Sequence, residues 1–172
     1  KQAVLEYDVA GSRTWAQTSV EAGVDPLAAL GALTEAIREV GDGFGRGDLW
    51  LPDLVGASEA MLAAMPIIES EIARKGAKRQ SLGRVVIGTV YGDLHNIGKA
   101  MVARLLTAEG FAVHDLGINV PAEQFVAAVH THDADLVAMS ALMTTTIAEQ
   151  RRVIERLQEA CIRDRGKVMV GG

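Results

Sequence analysis

The heptapeptide Gly92-Asp93-Leu94-His95-Asn96-Ile97-Gly98 sets a carboxylate two residues before an imidazole and a glycine three residues after it. A carboxylate that reaches one ring nitrogen of a histidine fixes the tautomer and makes the other nitrogen a better donor, a device that recurs behind metal-ligating histidines. A glycine at the following position lets a large group come close to the backbone. A lone histidine is most often a surface or core residue of no special role, but the position of His95 adds information. One protein ligand is too few for zinc, which takes three or four. A macrocycle that already supplies the other ligands needs a single axial donor. The loop therefore points to a metal carried in a macrocycle, with His95 as the ligand and Asp93 behind it.

Two other groups have the residue types to work with such a site. Ser140-Ala141-Leu142-Met143-Thr144-Thr145-Thr146 reads either as a polar loop that caps the next helix through Thr144 or Thr145, or as a lining of the crevice that holds His95. Gly171 and Gly172 read either as a simple turn or as part of the same lining. Small or polar residues at three strand ends fit a deep slot for a long, slim group.

The elements that must position these residues follow from the hydrophobic pattern. Val85-Val86-Ile87-Gly88-Thr89-Val90 is an apolar run of the kind found in buried parallel strands. Strands are expected at 84–90, 112–116, 135–140 and 167–170, with helices at 97–109, 122–131 and 146–163 between them. Right-handed crossovers make this βαβαβαβ order a doubly wound parallel sheet of flavodoxin-like type. His95 then lies at the carboxyl end of the first strand, where open α/β sheets bind their ligands. A complete domain of this type has a fifth strand and helix, so the sheet is expected to be truncated after its fourth strand.

Residues 1–76 have the periodicity of helices and are expected to form an antiparallel bundle. Asp25-Pro26 is a strong helix start, and Leu30, Leu33, Ile37 and Val40 follow on one face. The glycines alternating from Gly41 to Gly47 should end or weaken that helix. Pro52-Asp53 begins the next, with Leu54, Met61, Met65, Ile68 and Ile72 on one face and Pro66 as a point of kinking. An earlier helix is expected over residues 12–21. Residues 77–83 are polar and aperiodic and read as a linker, with 84–172 as the second domain.

The bulk properties narrow the class. The chain has 172 residues, 49% hydrophobic, with a formal net charge of −5. That is enough apolar material for one large domain or two small ones. The acidic balance argues against nucleic acid as a partner. No unbroken run of about 18 apolar residues is present, so no membrane span is expected. The single cysteine, Cys161, cannot form an intramolecular disulfide and fits a reducing cytoplasm. No leader pattern precedes the first helix. The start at Lys1 and the stop just after an apolar strand lead to the expectation of missing residues at both ends.

The residues now carry a resemblance. Asp93-Leu94-His95-Asn96-Ile97-Gly98, Ser140-Ala141-Leu142 and Gly171-Gly172 are similar, in order, to the D-x-H-x-x-G, S-x-L and G-G signature of cobalamin-binding domains. The segments 3–8, 21–26 and 40–48 resemble the cap module of corrinoid proteins from methyltransferase systems, which serve methylamine, methanol or aryl methyl ether demethylation. Cobalamin-dependent methionine synthase has a similar pair of modules. The resemblance implies cobalamin as cofactor and His95 as the lower axial ligand of cobalt, replacing the benzimidazole (base-off, His-on). It implies that Asp93 bonds to His95 and that Thr146 completes the chain. It implies a slot for the nucleotide tail lined by Gly98, Ser140, Leu142, Gly171 and Gly172, with Ile97 and Thr144 as further cofactor-binding residues. Met61, Leu62 and Met65 are candidates for the bundle face over the corrin, with ordinary helix packing as the alternative. Many relatives have aspartate where Asn96 stands, which removes a charge near the ring and leaves ligation intact.

What the resemblance implies about activity is a methyl carrier rather than a complete enzyme. A methyl-donor:corrinoid methyltransferase would load Co(I) to methyl-Co(III), an acceptor methyltransferase would unload it, and a reductive activase would restore the low oxidation state. A hinge at 76–83 would let the cap lift. The same motifs occur in small subunits of adenosylcobalamin-dependent mutases, which have no need of the helical half. They also occur in cobalamin-based light sensors or regulators, which carry a basic DNA-binding module that this chain lacks. A bare response-regulator-like module would have an acidic cluster where Asp93 and His95 stand.

Overall fold

The structure, a computed structural model, describes residues 1–76 and 81–172. Residues 77–80, which hold most of the expected linker and hinge, lie outside the described residues. The chain divides into two compact units, 1–80 and 81–172, and each is described by itself.

The first unit contains α1 (Gln2–Leu5), α2 (Val9–Glu21), α3 (Pro26–Arg46) and α4 (Leu51–Arg74). Side chains start two of these helices. Asp8 accepts from the Gly11 N–H at 2.9 Å, and Asp25 from the Leu27 N–H at 3.3 Å with Pro26 next in line. These bonds satisfy donors that the first helical turn leaves without partners. Because Asp8 is the cap, α2 begins at Val9 rather than at residue 12, and the short α1 before it carries too few residues for a periodic signal.

A glycine run and a proline stand inside these helices. The glycine alternation ends α3 only at its last member: the helix runs to Arg46, and Gly47, at φ +82°, caps it. Gly43 is buried because Leu49 packs on it, where an added Cβ would come within 2.8 Å of Leu49 Cδ1. The glycine thus admits a close approach rather than breaking the helix. α4 continues through Pro66, which is exposed. By length and composition α4 could cross a membrane, with an 18-residue window of mean hydropathy 1.3. Its apolar stripe packs against α2 and α3 and buries Ala57, Ala60, Met61, Ala64 and Ile68, as a core helix does.

The second unit is a four-stranded parallel sheet of β1 (Arg84–Thr89), β2 (Ala112–Asp115), β3 (Leu136–Ser140) and β4 (Lys167–Gly171) in the order β2-β1-β3-β4. Its helices are α5 (Ile97–Glu109), α6 (Ala122–His132) and α7 (Ile147–Glu159). Side chains alternate across the sheet with period two. Val86, Val137 and Met139 pack on one side in a cluster with Phe125, Val129, Val153 and Leu157 from α6 and α7. Val85, Ile87 and Ala138 face the other side, with Ala103 and Leu106 of α5. This is a doubly wound sheet, as expected.

Ser81, Leu82 and Gly83, read as linker, are tied to this unit instead. The Leu82 N–H donates to the Gly110 carbonyl at 3.1 Å, and Ser81 Oγ accepts from the Ala112 N–H at 3.1 Å. The last helix also stops earlier than residue 163. Cys161 takes the left-handed conformation at φ +57°, and the Ile162 N–H turns back to the Leu157 carbonyl at 3.0 Å. A short 3₁₀ turn, Arg163–Arg165, leads into β4.

Candidate functional site

The chain leaves β1 for β2 on one side and reaches β3 and β4 on the other, so the carboxyl ends of β1 and β3 border the switch point of the sheet. Ligand crevices in open α/β sheets lie there. The loop with His95 follows β1, and the segment from Ser140 to Thr146 follows β3. At the crevice rim, the Val90 N–H donates to the Ser140 carbonyl at 3.0 Å, which joins the two strand ends.

Asp93 is the centre of the site. It is fully buried, and five contacts at hydrogen-bond distance converge on its carboxylate. Oδ1 accepts from the His95 N–H at 3.0 Å and lies 2.7 Å from His95 Nδ1. Oδ2 accepts from the Leu142 and Met143 N–H groups at 2.8 and 3.2 Å and from the Thr146 hydroxyl at 2.7 Å. Burial pushes this carboxyl's pKa up, but the bonds from the His95 backbone, Thr146, the His95 ring and the Met143 backbone outweigh it. They hold Asp93 well below the usual carboxylate range. An ionised carboxylate can only accept, so the imidazole faces it with Nδ1–H, and the lone pair is on Nε2. The His95 side chain is 52% exposed, and Nε2 has no partner among the described residues.

Thr146 was expected inside the last helix, with Thr144 or Thr145 as its cap. Thr146 is itself the N-cap residue, and its hydroxyl turns to Asp93 instead of the helix N–H groups. Thr144 and Thr145 are exposed. A cavity of about 290 Å³ is lined by Gly98, Ser140, Gly171 and Gly172, together with the apolar Ile87, Ala138 and Met169. A Cβ added at Gly98 or at Gly171 would meet no atom within 4 Å, so the space before both is open. Leu142 and Thr144 do not line it; Leu142 enters the site through its backbone N–H. Ile97 is outside the slot too and is 82% exposed. Met61 and Met65 are buried and Leu62 half-buried, all on α4 of the other unit.

Side chains that the sequence reading passed over also gather here. Lys99, almost completely buried, forms an ion pair with Asp115 at the end of β2. Gln150 of α7 donates to the carbonyls of Met139 and Gly171 at 3.3 and 3.0 Å, holding the ends of β3 and β4 together. Thr89 and Asn119 bond to the His95 loop itself. Thr89, a polar residue in an apolar strand, and Asn119, an Asn in the loop after a strand, each offered a signal; Lys99 and Gln150, on helices, offered none.

The site meets the requirements of a metal-bearing macrocycle with a slim appendage. Among the described residues no cluster of three or more His, Cys, Asp or Glu is placed to hold a metal ion, so His95 can supply only one ligand to a metal otherwise provided for. Tyr91, Leu94, Ile97, Leu142 and Ile147, on the loops and helix starts that carry the site, are all exposed. Exposed apolar side chains of this kind are suited to contact with a flat apolar ring. The cavity is largely apolar and rimmed by glycine.

Comparison with known proteins agrees. Residues 83–172 match the family model described as B12 binding domain, and residues 1–69 match a second model with the same description. The trimethylamine corrinoid protein of Methanosarcina barkeri is 42% identical over 173 residues, which is all of this chain and 80% of that protein. The methanol:cobalamin methyltransferase complex MtaBC from Methanosarcina barkeri contains a similar chain, with a TM-score of 0.86 and 32% identity over 99% of this chain and 65% of that one. A cobalamin-binding protein from Desulfitobacterium hafniense DCB-2 is similar at TM-score 0.76 and 30% identity, covering 99% of this chain and 81% of that one. On its sequence, its fold and its carboxylate–imidazole site, this chain belongs to the B12-binding corrinoid proteins, a family whose cofactor is cobalamin or a related corrinoid.

Proposed function

We propose that this protein is the methyl carrier of a cobalamin-dependent methyltransferase system. It would hold the corrinoid base-off and His-on, with His95 Nε2 as the lower axial donor to cobalt. The displaced nucleotide tail would lie in the slot of Gly98, Ser140, Gly171 and Gly172. The exposed apolar side chains of Leu94, Ile97 and Leu142 would support the ring, with Thr144 at its edge. When bound, the corrinoid supplies a cobalt that accepts and releases a methyl group as it passes between Co(I) and Co(III).

The chain's own contribution is to set the state of one imidazole. With a proton on Nδ1, held by Asp93, the Nε2 lone pair is available to a metal. A proton on Nε2 removes that lone pair. Thr146 and the Leu142 and Met143 N–H groups keep the carboxylate ionised and fixed in place. Ligation and release thus become a matter of one proton on one atom, next to a base that does not itself take it up.

The observation that carries this reading is the chain Thr146–Asp93–His95, which holds Nδ1 and leaves Nε2 without a protein partner. The similarity to the trimethylamine corrinoid protein and to a chain of the methanol:cobalamin methyltransferase complex supports partners of two kinds. One is a methyl-donor:corrinoid methyltransferase and the other an acceptor methyltransferase, with a reductive activase and a cytoplasmic setting. The methylated substrate is chosen by the donor enzyme rather than by this chain. The test is the visible spectrum after loading with hydroxocobalamin, beside His95→Ala. A base-off, His-on spectrum that the variant loses is expected; a spectrum that the variant leaves unchanged removes the ligand assignment.

A further inference from the structure

The Asp93 contacts fix the imidazole from the side, but a second set of bonds holds the loop beneath it. Thr89, the last residue of β1, is fully buried, and its hydroxyl donates to the His95 carbonyl at 3.0 Å. The main chain of Thr89 is itself fixed at both ends. Its N–H donates to the Gly117 carbonyl at 3.0 Å, and its carbonyl accepts from the Val120 N–H at 2.9 Å. Between these two anchor points lies Asn119. Its side-chain Oδ1 accepts from the Gly92 N–H at 2.7 Å, and its own N–H donates to the Asp93 carbonyl at 3.0 Å.

Asn119 makes these bonds from φ +55°. Asn tolerates the left-handed region better than most residues, yet the conformation is uncommon outside glycine and persists where the surroundings impose it. A glycine at this position would relieve the backbone and forfeit the bond to Gly92. The loop after β2 therefore reaches under the loop after β1 and grips it on both sides of Asp93.

We propose that Thr89 and Asn119 are positioning residues for His95. They set the height and tilt of the loop so that the imidazole meets the Asp93 carboxylate with Nδ1 and presents Nε2 outward. This rests on the proposed axial role of His95 for its meaning, and on the bonds above for its geometry. The side chain of His95 is half-exposed, and Asp93 is its hydrogen-bond partner. A ring held at one atom swings with its backbone. The hydroxyl of Thr89 and the amide of Asn119 remove that freedom.

The test uses the whole chain with Thr89→Val, Thr89→Ser and Asn119→Gly, and it needs two readouts. In the corrinoid-free protein, imidazole ¹⁵N shifts at a pH where the ring is neutral report the tautomer of His95. In the protein loaded with hydroxocobalamin, the visible spectrum reports the ratio of His-on to His-off forms. Losing one hydrogen bond of ordinary net strength should lower both the Nδ1–H population ratio and the His-on ratio about fivefold. Thr89→Ser should restore both, because it keeps the hydroxyl. Asn119→Gly gives an independent reading should Thr89→Val fold poorly, since glycine accepts the backbone conformation. Both ratios unchanged in Thr89→Val and Asn119→Gly would overturn the proposal, even with His95→Ala still abolishing the His-on form. A wild-type protein with no His-on form would remove the axial role while the ¹⁵N result still decided the positioning claim.

Discussion

Replacing Asp93 with Asn keeps the shape of the side chain and changes what it can accept. The asparagine oxygen can occupy only one of the two carboxylate positions. At the Oδ2 position it keeps the Leu142, Met143 and Thr146 donors, and its NH₂ then faces the His95 N–H, 3.0 Å from the replaced atom. Two donors now oppose each other, and a buried N–H without a partner costs about 1–3 kcal/mol. The three retained bonds lose their charge assistance, roughly 0.5–1 kcal/mol each. Asp93→Asn should therefore destabilise the second unit by about 3–6 kcal/mol, read as a lower urea midpoint. The same NH₂ lies where it must donate to His95 Nδ1, which forces the imidazole proton onto Nε2. The folded fraction should then show the opposite tautomer in its ¹⁵N spectrum and a His-off spectrum with hydroxocobalamin. A variant within about 1 kcal/mol of wild type that keeps the His-on form would refute the reasoning on both counts.

Other outcomes follow from single contacts. Asp115→Asn strands the buried ammonium of Lys99 and should cost about 3–5 kcal/mol. Lys99→Met leaves only the more exposed Asp115 carboxylate and should cost clearly less; equal losses in urea unfolding would contradict the asymmetry. At Gly88 an added Cβ would come within 2.8 Å of Phe125 Cζ in the core, so Gly88→Ala should lower stability by about 1–3 kcal/mol, measurable by thermal unfolding. His114 stacks on His132 with ring centroids 3.7 Å apart, and burial, followed by the charge of His132, lowers its pKa. A histidine depressed in the folded state contributes stability in full above its ordinary pKa of about 6.5, and that stability is lost as pH falls through the folded value. The urea midpoint should thus drop with acidification below about pH 6.5, and His114→Gln should flatten that slope.

The second unit was largely legible from its residues because period and chemistry agreed. The apolar run before Asp93, the helix over 97–109 and the other strands stand within a residue or two of where the pattern puts them. Asp93 and His95 were recognisable from their spacing at the end of a strand, whereas Thr146 was reached only through the resemblance to cobalamin-binding domains. The first unit was harder to read. Glycine and proline carry local preferences that packing can override: Gly43 serves Leu49, and Pro66 faces solvent within a helix that continues. What was not legible depends on three-dimensional juxtaposition. Nothing local to Asn119 names Gly92 as its partner, since a loop 27 residues away supplies it. Nor does the sequence near Lys99 announce Asp115, because the pairing exists only once α5 crosses to β2. Leu142 was expected through its side chain and takes part through its N–H instead, a contribution that no side-chain pattern records.

Asp93 and His95 differ sharply in what their loss would remove. The carboxylate is sealed in and joins two loops about fifty positions apart along the chain, so the architecture and the chemistry both depend on it. The imidazole is half in solvent, and its removal leaves the strand-end bonds standing. Mutational drift can therefore erase the donor atom in one step while the scaffold survives, whereas position 93 answers to two selective demands at once. If His95 holds the axial role proposed above, lineages built on this frame have an easy route to a descendant that still folds but has lost the donor nitrogen.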